Sequence, residues 1–194
     1  MEIIKRKELT TSKWSGGSTT QLYIYPAHSN YQKLNFDFRI STAKVDVAES
    51  VFTKLPGISR QLMILKGETR LTYQQKDSVL LHKFDVTQFE GDWETTSRGV
   101  VTDFNLMMTH NYQGDISHLS CKSGDFQIIE AECVGDFLAI YAYRGMVSIG
   151  INKKSELINT GDVLILNKKE NWGKVTVNAL EESSLILCQV NRIK

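Results

Sequence analysis

Hydrophobic alternation with a period of two runs through almost the whole chain, and it restricts the fold more than any single motif. Phe36, Phe38 and Ile40 alternate with Asp37, Arg39 and Ser41, and the pattern continues through Ala43, Val45 and Val47. Leu71 with Tyr73, Val147 to Ile151, and Val175 with Val177 repeat it farther along. Each segment is short and bounded by Gly, Asn, Asp or Ser, as half-buried strands are. No amphipathic helix longer than about two turns is evident. The chain is therefore expected to be all-β, a sandwich or barrel of many short strands. Its 194 residues suffice for one large core or two small ones.

A faint repeat divides the chain. LMILKGETRLTY (Leu62 to Tyr73) aligns with IYAYRGMVSIGI (Ile140 to Ile151) when Gly67 is laid on Gly145. Each half then proceeds to a Gly-Asp turn, Gly91-Asp92 and Gly161-Asp162. The order of apolar strand, glycine turn, alternating strand and Gly-Asp turn resembles half of a cupin barrel, glycine supplying the positive φ and aspartate bonding back to the turn. Two barrels in one chain, a bicupin, are expected: residues 1–108, a polar and turn-rich linker at 109–125, and residues 126–194. Eight strands with their turns need about 80–100 residues, which leaves the second barrel short by a strand or two. An N-terminal segment, Glu2 to Ile4 or Gln21 to Tyr25, is expected to cross over and complete it.

Charge is balanced, 23 Lys+Arg against 22 Asp+Glu, and gives no reason to expect nucleic acid or an anionic membrane as partner. No run approaches the roughly 18 apolar residues of a membrane helix. MEIIKRKELTT at the start is followed by no signal-peptide core. A cytoplasmic protein is expected, with Cys121, Cys133 and Cys188 as reduced, buried thiols. The four histidines, His28, His82, His110 and His118, include no His-x-His pair, and no set of three or four ligands converges in the sequence. Neither a bound metal nor another cofactor is expected. The run around Gly16 and Gly17 has the look of a phosphate loop, but no lysine closes it.

Polar residues that recur on strand faces are more informative. Arg39 and Ser41 project from one side of their strand, opposite Phe38 and Ile40. That side is either solvent surface or the mouth of a barrel that takes an anion, since a guanidinium offers a fixed fork of donors to a carboxylate. Leu55-Pro56-Gly57 forms a tight turn and delivers Arg60 to the next strand. Asp103, Asn105 and Met107 share one face of a third strand. Asp103 either pairs with Arg39 or Arg60 or meets a ligand.

Several motifs stand in a telling order: Trp14 with Gly17-Ser18-Thr19, Phe36-x-Phe38-Arg39-x-Ser41, Phe52-x-x-Leu55-Pro56-Gly57-x-x-Arg60, Gly67, Phe89-x-Gly91-Asp92 and Asp103-Phe104-Asn105-Leu106-Met107. Together they resemble the HutD/Ves family. The likeness runs from Trp14 to Met107, and the C-terminal half is similar only to a generic cupin barrel. What it implies is a metal-independent bicupin of the RmlC-like class that binds a small anionic or polar metabolite, with formylglutamate the first candidate among carboxylates. One branch of the family accompanies histidine utilisation, where the implied role is regulatory; another is associated with cold and stress responses.

On the matching residues, the implied ligand contacts are Trp14, Thr19, Arg39, Ser41, Arg60 and Asn105. Either arginine would clamp a carboxylate, Ser41 and Asn105 would add directional hydrogen bonds, and Trp14 would wall the pocket. Asp103, Gln21 and Met107 are further candidates. Gly16 stands where relatives carry Asn, and Gln21 where they carry an acidic residue, so the ligand need not be that of the histidine-linked branch. Two other classes of function stay open. An isomerase or hydrolase would use Asp103 as general base with arginine activation, although no acid partner is visible for it. Alternatively the barrels serve mainly for dimerisation in a stress-linked protein, exposed sheet edges pairing in a homodimer.

Overall fold

The structure is a computed structural model described over residues 1–75, 77–130, 135–170 and 172–193. Strands dominate it, and the helical pieces among the described residues are the short 3-10 segments Arg6–Glu8, Tyr31–Lys33 and Lys168–Glu170. Among the described residues no helix is long and apolar enough to cross a membrane. The chain folds as two compact units, Thr10–Gln113 with Ile193, and Met1–Leu9 with Gly114–Arg192.

The first strand, β1 (Glu2–Ile4), pairs in the second unit. The first unit runs β2 (Thr10–Trp14), β3 (Gly17–Tyr25), β4 (Phe38–Val45), β5 (Glu49–Val51), β6 (Ile58–Lys66), β7 (Thr69–Tyr73), β8 (Asp77–Leu81), β9 (Val86–Glu90), β10 (Thr95–Arg98) and β11 (Val101–Thr109). These make a six-stranded sheet in the order β2-β3-β4-β11-β6-β9 and a four-stranded sheet in the order β5-β10-β7-β8. Side chains from both sheets meet in one core, Val45, Leu62, Ile64 and Val101 from the larger and Leu71, Tyr73 and Leu81 from the smaller. Such alternation of buried residues on pleated strands is what closes a jelly-roll barrel.

The second unit repeats the plan with β12 (Tyr112–Cys121), β13 (Phe126–Glu130), β14 (Phe137–Arg144), β15 (Met146–Ile151), β16 (Lys154–Asn159), β17 (Val163–Asn167), β18 (Lys174–Ala179) and β19 (Ser183–Arg192). Its sheets are β1-β17-β14-β19-β12 and β13-β18-β15-β16. The chain is all-β, and β6 to β11 and β14 to β19 hold corresponding places, as the Gly67–Gly145 alignment requires. Both glycines have positive φ, +82° and +91°. A Cβ on either would approach a backbone carbonyl, that of Val100 at 2.5 Å or of Glu182 at 2.6 Å.

The stretch 109–125, expected above to be a linker, is mostly strand. β12 occupies Tyr112–Cys121 at the edge of the five-stranded sheet, beside β19 as β4 lies beside β11 in the first unit. Only Tyr112, Ile116 and Cys121 are buried along it, while Gln113, Asp115, Ser117 and Ser120 are exposed. An edge strand with one wet face carries few apolar residues, which is why it reads as a connector. Of the two segments expected to cross over, Glu2–Ile4 does so, with Glu2, Ile3 and Ile4 opposite Ile165, Leu164 and Val163. Gln21 to Tyr25 stays in the first unit within β3. Cys121 and Cys188 are free, buried thiols, pushed up in pKa by burial. Cys133 lies outside the described residues.

The second Gly-Asp turn fastens the crossing segment. The buried Asp162 carboxylate accepts from the Arg6 backbone N–H at 2.9 Å, the Asn159 N–H at 3.1 Å and the Lys5 ammonium at 3.0 Å. Burial raises its pKa, and these donors outweigh burial and hold it below the ordinary carboxylate value. Replacing Asp162 by Ala is expected to cost about 1.5–3 kcal/mol, because charge-assisted bonds to three donors are lost. Asp92, exposed in the first Gly-Asp turn, should tolerate the same change. Urea midpoints of Asp162→Ala and Asp92→Ala check the contrast.

Candidate functional site

Register in the six-stranded sheet arranges the polar residues in rows. Arg39 on β4 is opposite Met107 on β11, and Met107 is opposite Arg60 on β6. One row on, Gln21, Ser41 and Asn105 lie abreast on β3, β4 and β11; the next row holds Thr19, Ala43 and Asp103. Successive rows are separated by two residues, so all these side chains leave the same face of the sheet. All of them except Gln21 line a cavity of about 300 Å3 in the first unit. Trp14, Thr19, Arg39, Ser41, Arg60, Asn105, Asp103 and Met107 all border it. Gln21 does not; it borders a neighbouring pocket with Thr10, Asn30 and Gln32. It still acts on the site, because its Oε1 accepts from Arg39 Nε at 2.9 Å.

Both arginines are buried, Arg39 at 5% and Arg60 at 4% relative exposure, so their face is not solvent surface. Neither forms a direct ion pair with Asp103 among the described residues. Rings hold them instead. The Arg39 guanidinium lies 4.3 Å from the Tyr31 ring centroid and its Nη1 donates to Ser41 Oγ at 3.1 Å. Arg60 lies 4.7 Å from the Phe52 centroid and 5.2 Å from that of Phe89. Phe52 and Phe89 meet edge to face at 5.6 Å. Stacking of this kind favours a cation without neutralising it.

The family-like motifs explain the placement. Gly91 N–H donates to the Ile58 carbonyl at 2.7 Å and Leu55 N–H donates to the Gly91 carbonyl at 2.7 Å. A Cβ on Gly91 would sit 2.6 Å from the Leu55 carbonyl oxygen, so glycine is needed where the Leu55-Pro56-Gly57 turn is laced to β9. That lacing sets Arg60 between Phe52 and Phe89. At the other end, the Trp14 indole occupies the space a side chain on Gly16 would need, and Trp14 keeps 39% of its surface exposed at the rim. Tyr31, Ser12 and Ser50 also border the cavity and were not singled out from the sequence, and Phe52, noted there only as a motif position, borders it too. Tyr31 had one local signal: Asn30 caps its turn, the side-chain oxygen accepting from Gln32 N–H at 2.8 Å and from Lys33 N–H at 3.3 Å.

Electrostatically the site is unbalanced. Burial pushes the Asp103 carboxyl up to about 7, opposed by the Arg60 charge and the Ala43 backbone N–H. Burial likewise lowers Arg60 to about 10, opposed mainly by Asp103. Arg60 Nε, Asp103 Oδ1 and Asn105 Oδ1 are buried with no hydrogen-bond partner in the protein. Two guanidiniums, one carboxyl, a hydroxyl and a carboxamide do not form a metal donor set, which needs several anionic or imidazole ligands converging. No group of three or more His, Cys, Asp or Glu converges among the described residues. His82 bonds Glu68 at 3.3 Å and His118 bonds Ser184 at 2.7 Å, both away from the cavity.

The family model described as HutD matches residues 6–187. No curated protein sequence matches the chain. Among solved structures, a conserved protein of unknown function from Pseudomonas aeruginosa PAO1 is similar with a TM-score of 0.84 at 19% identity, over 98% of each chain. HutD from Pseudomonas fluorescens SBW25, in a formate condition, gives 0.76 at 16% identity, over 100% of this chain and 99% of that one. The vicilin from Solanum melongena, with different anionic ligands in structurally similar pockets, gives 0.69 at 11% identity, over 97% of this chain and 83% of that one. At these identities the structural likeness establishes the fold, a cupin-type double barrel.

Asp103 supplies a pH test. Its carboxyl sits near 7 in the folded protein and at 3.8 in the free chain, so the fold favours the protonated form. The stability it contributes is greatest below about pH 4 and is withdrawn as the pH rises towards 7. Relative to the wild type, Asp103→Asn should therefore gain stability steadily between those values and level off above them. Denaturant midpoints of both proteins across that range, without added ligand, measure the difference.

Proposed function

The chain belongs to the HutD family, and from that premise we propose that its first barrel binds a small carboxylate-bearing metabolite without a metal, the carboxylate seated between Arg39 and Arg60. One observation carries this reading: two buried guanidiniums face one cavity with no carboxylate in direct contact. An uncompensated charge away from water is costly, and a scaffold arginine would be paired. With Asp103 ionised the three charges leave the site net positive, and with Asp103 protonated more so. An anion is called for in either state. Ser41 accepts from Arg39 and keeps its own hydrogen for a ligand oxygen. Thr19 and Trp14 close the outer side.

The relatives agree with this chemistry. Formate, in whose presence the Pseudomonas HutD structure was obtained, is the smallest carboxylate, and the vicilin pockets hold anions. Among the described residues the second barrel offers no equivalent. Laying Gly67 on Gly145 puts Leu138 at the place of Arg60, and its interior is packed with Leu138, Ile140, Val147, Ile149, Leu164 and Trp172. Formylglutamate is the first ligand to test, with regulation of amino-acid utilisation as the corresponding role.

A second reading, acid–base catalysis, is favoured by one feature, the Asp103 carboxyl held near neutrality in the cavity. Turnover of a bound ligand, abolished in Asp103→Asn, would distinguish an enzyme from a binding protein.

For the leading reading, Arg39→Gln and Arg60→Met keep side-chain volume and remove charge. Calorimetric affinity for formylglutamate and glutamate is expected to fall by a factor of about 100 or more, in keeping with loss of a charge-assisted, bidentate contact. The unliganded variants should be as stable as the wild type or more so, since a buried uncompensated charge has been removed. Unfolded variants together with a wild type that binds neither acid would make the arginines scaffold.

A further inference from the structure

We infer that anion binding in the first-barrel cavity is coupled to uptake of a proton by Asp103, so that the site fills near neutral pH and empties as the solution turns alkaline. The inference rests on the reading of Arg39 and Arg60 as an anion clamp and adds how that clamp is regulated. Its basis is the shape of the cavity. Arg39, Arg60 and Asp103 all border it, and none is more than 5% exposed. The Ala43 backbone N–H donates to the Asp103 carboxyl, while its Oδ1 is buried with no hydrogen-bond partner in the protein. A negative ligand seated on the arginines therefore enters the space that already holds this carboxyl.

Carboxylates that share a buried space repel, and a proton goes to the one less well answered by positive charge. The ligand carboxylate has the guanidinium forks. Asp103 has no direct ion pair among the described residues, only the more distant charge of Arg60 and one backbone donor. Once an anion engages Arg60, that support weakens and burial prevails. Counting charges gives the same result. A dicarboxylate with Asp103 ionised sets three negative charges against two positive ones, and a proton on Asp103 restores the balance. The proton leaves the solvent and bonds to a carboxylate oxygen of Asp103, and no other bond changes. As an acid Asp103 donates its O–H to a ligand oxygen, which it would repel as a carboxylate. The other charged or titratable side chains bordering the cavity are Arg60 from β6, Arg39 from β4 and Tyr31 from its capped turn. β2, β3 and β5 contribute none. Burial already brings the Asp103 carboxyl to about 7 in the unliganded protein, so the coupling shows above neutral pH.

Titration calorimetry with glutarate and with formylglutamate tests the coupling. Both acids are fully ionised between about pH 7 and 9 and carry no other group that titrates there. At about pH 8, in buffers of different ionisation enthalpy, the binding enthalpy should follow the buffer with a slope of about half to one proton taken up. The association constant should correspondingly fall by about three- to tenfold per pH unit between about pH 7 and 9. In Asp103→Asn the uptake should vanish and the affinity should hold within about twofold over that range. Binding by the wild type without uptake and with a flat pH profile would overturn the inference and leave the arginine clamp standing. Uptake that persists in Asp103→Asn would also overturn it, because another group would then take the proton. If neither acid binds even at about pH 6, where Asp103 already carries its proton, the clamp and the inference fall together. Should Asp103→Asn not fold, the wild-type proton count decides, since no other carboxyl and no imidazole borders the cavity among the described residues.

Discussion

Two positive charges held out of water on one face of one sheet are the constraint on which the first barrel depends. Arg39 and Arg60 are separated in register only by Met107, and like charges so placed repel unless something answers them. The fold answers with aromatic faces rather than with a carboxylate: Tyr31 for Arg39, and Phe52 with Phe89 for Arg60. A direct Asp103 pair would satisfy the charge permanently and close the cavity to an anion. Stacking leaves Arg60 Nε without a partner.

The rest of the barrel is consistent with that arrangement. Below the polar rows, Val45, Leu62, Ile64 and Phe89 form an apolar floor, and on the other side Met107 joins Ile58, Leu55 and Phe36. The polar rows are thus a stripe between two dry clusters, where electrostatic interactions are stronger than at a surface. The opposite face of the same strands, with Phe38, Ile40, Phe104 and Leu106, is buried as well. Strands buried on both sides position their side chains with little freedom, which suits a site that recognises geometry.

Alternation of apolar residues made the all-β fold and the shared face of Arg39 with Ser41, and of Asp103 with Asn105 and Met107, legible in the sequence. The two-fold period of a strand is enough for that. Which strands lie side by side is set by long-range pairing, so the opposition of Arg39, Met107 and Arg60 could not be read from spacing within one segment. Tyr31 escaped notice as a cavity residue, and Phe52 entered only as a motif position, for a related reason. They come from a capped turn and a loop before β6, where no periodicity marks an inward side chain. β12 escaped because an edge strand wet on one face is polar.

The pairing of β1 with β17 bears on how the chain reaches its fold. Glu2–Ile4 has its partner at Val163–Asn167, so the contact has very high sequence separation, and loop closure on that scale is slow. During synthesis the segment must wait until nearly all of the second half has emerged. Its few residues and the charged run Lys5, Arg6 and Lys7 beside them make it a poor template for another chain meanwhile. The first barrel, whose strands pair among themselves from Thr10 onward, has no such delay. Vectorial folding therefore completes the polar cavity before the barrel that fills its interior with apolar side chains.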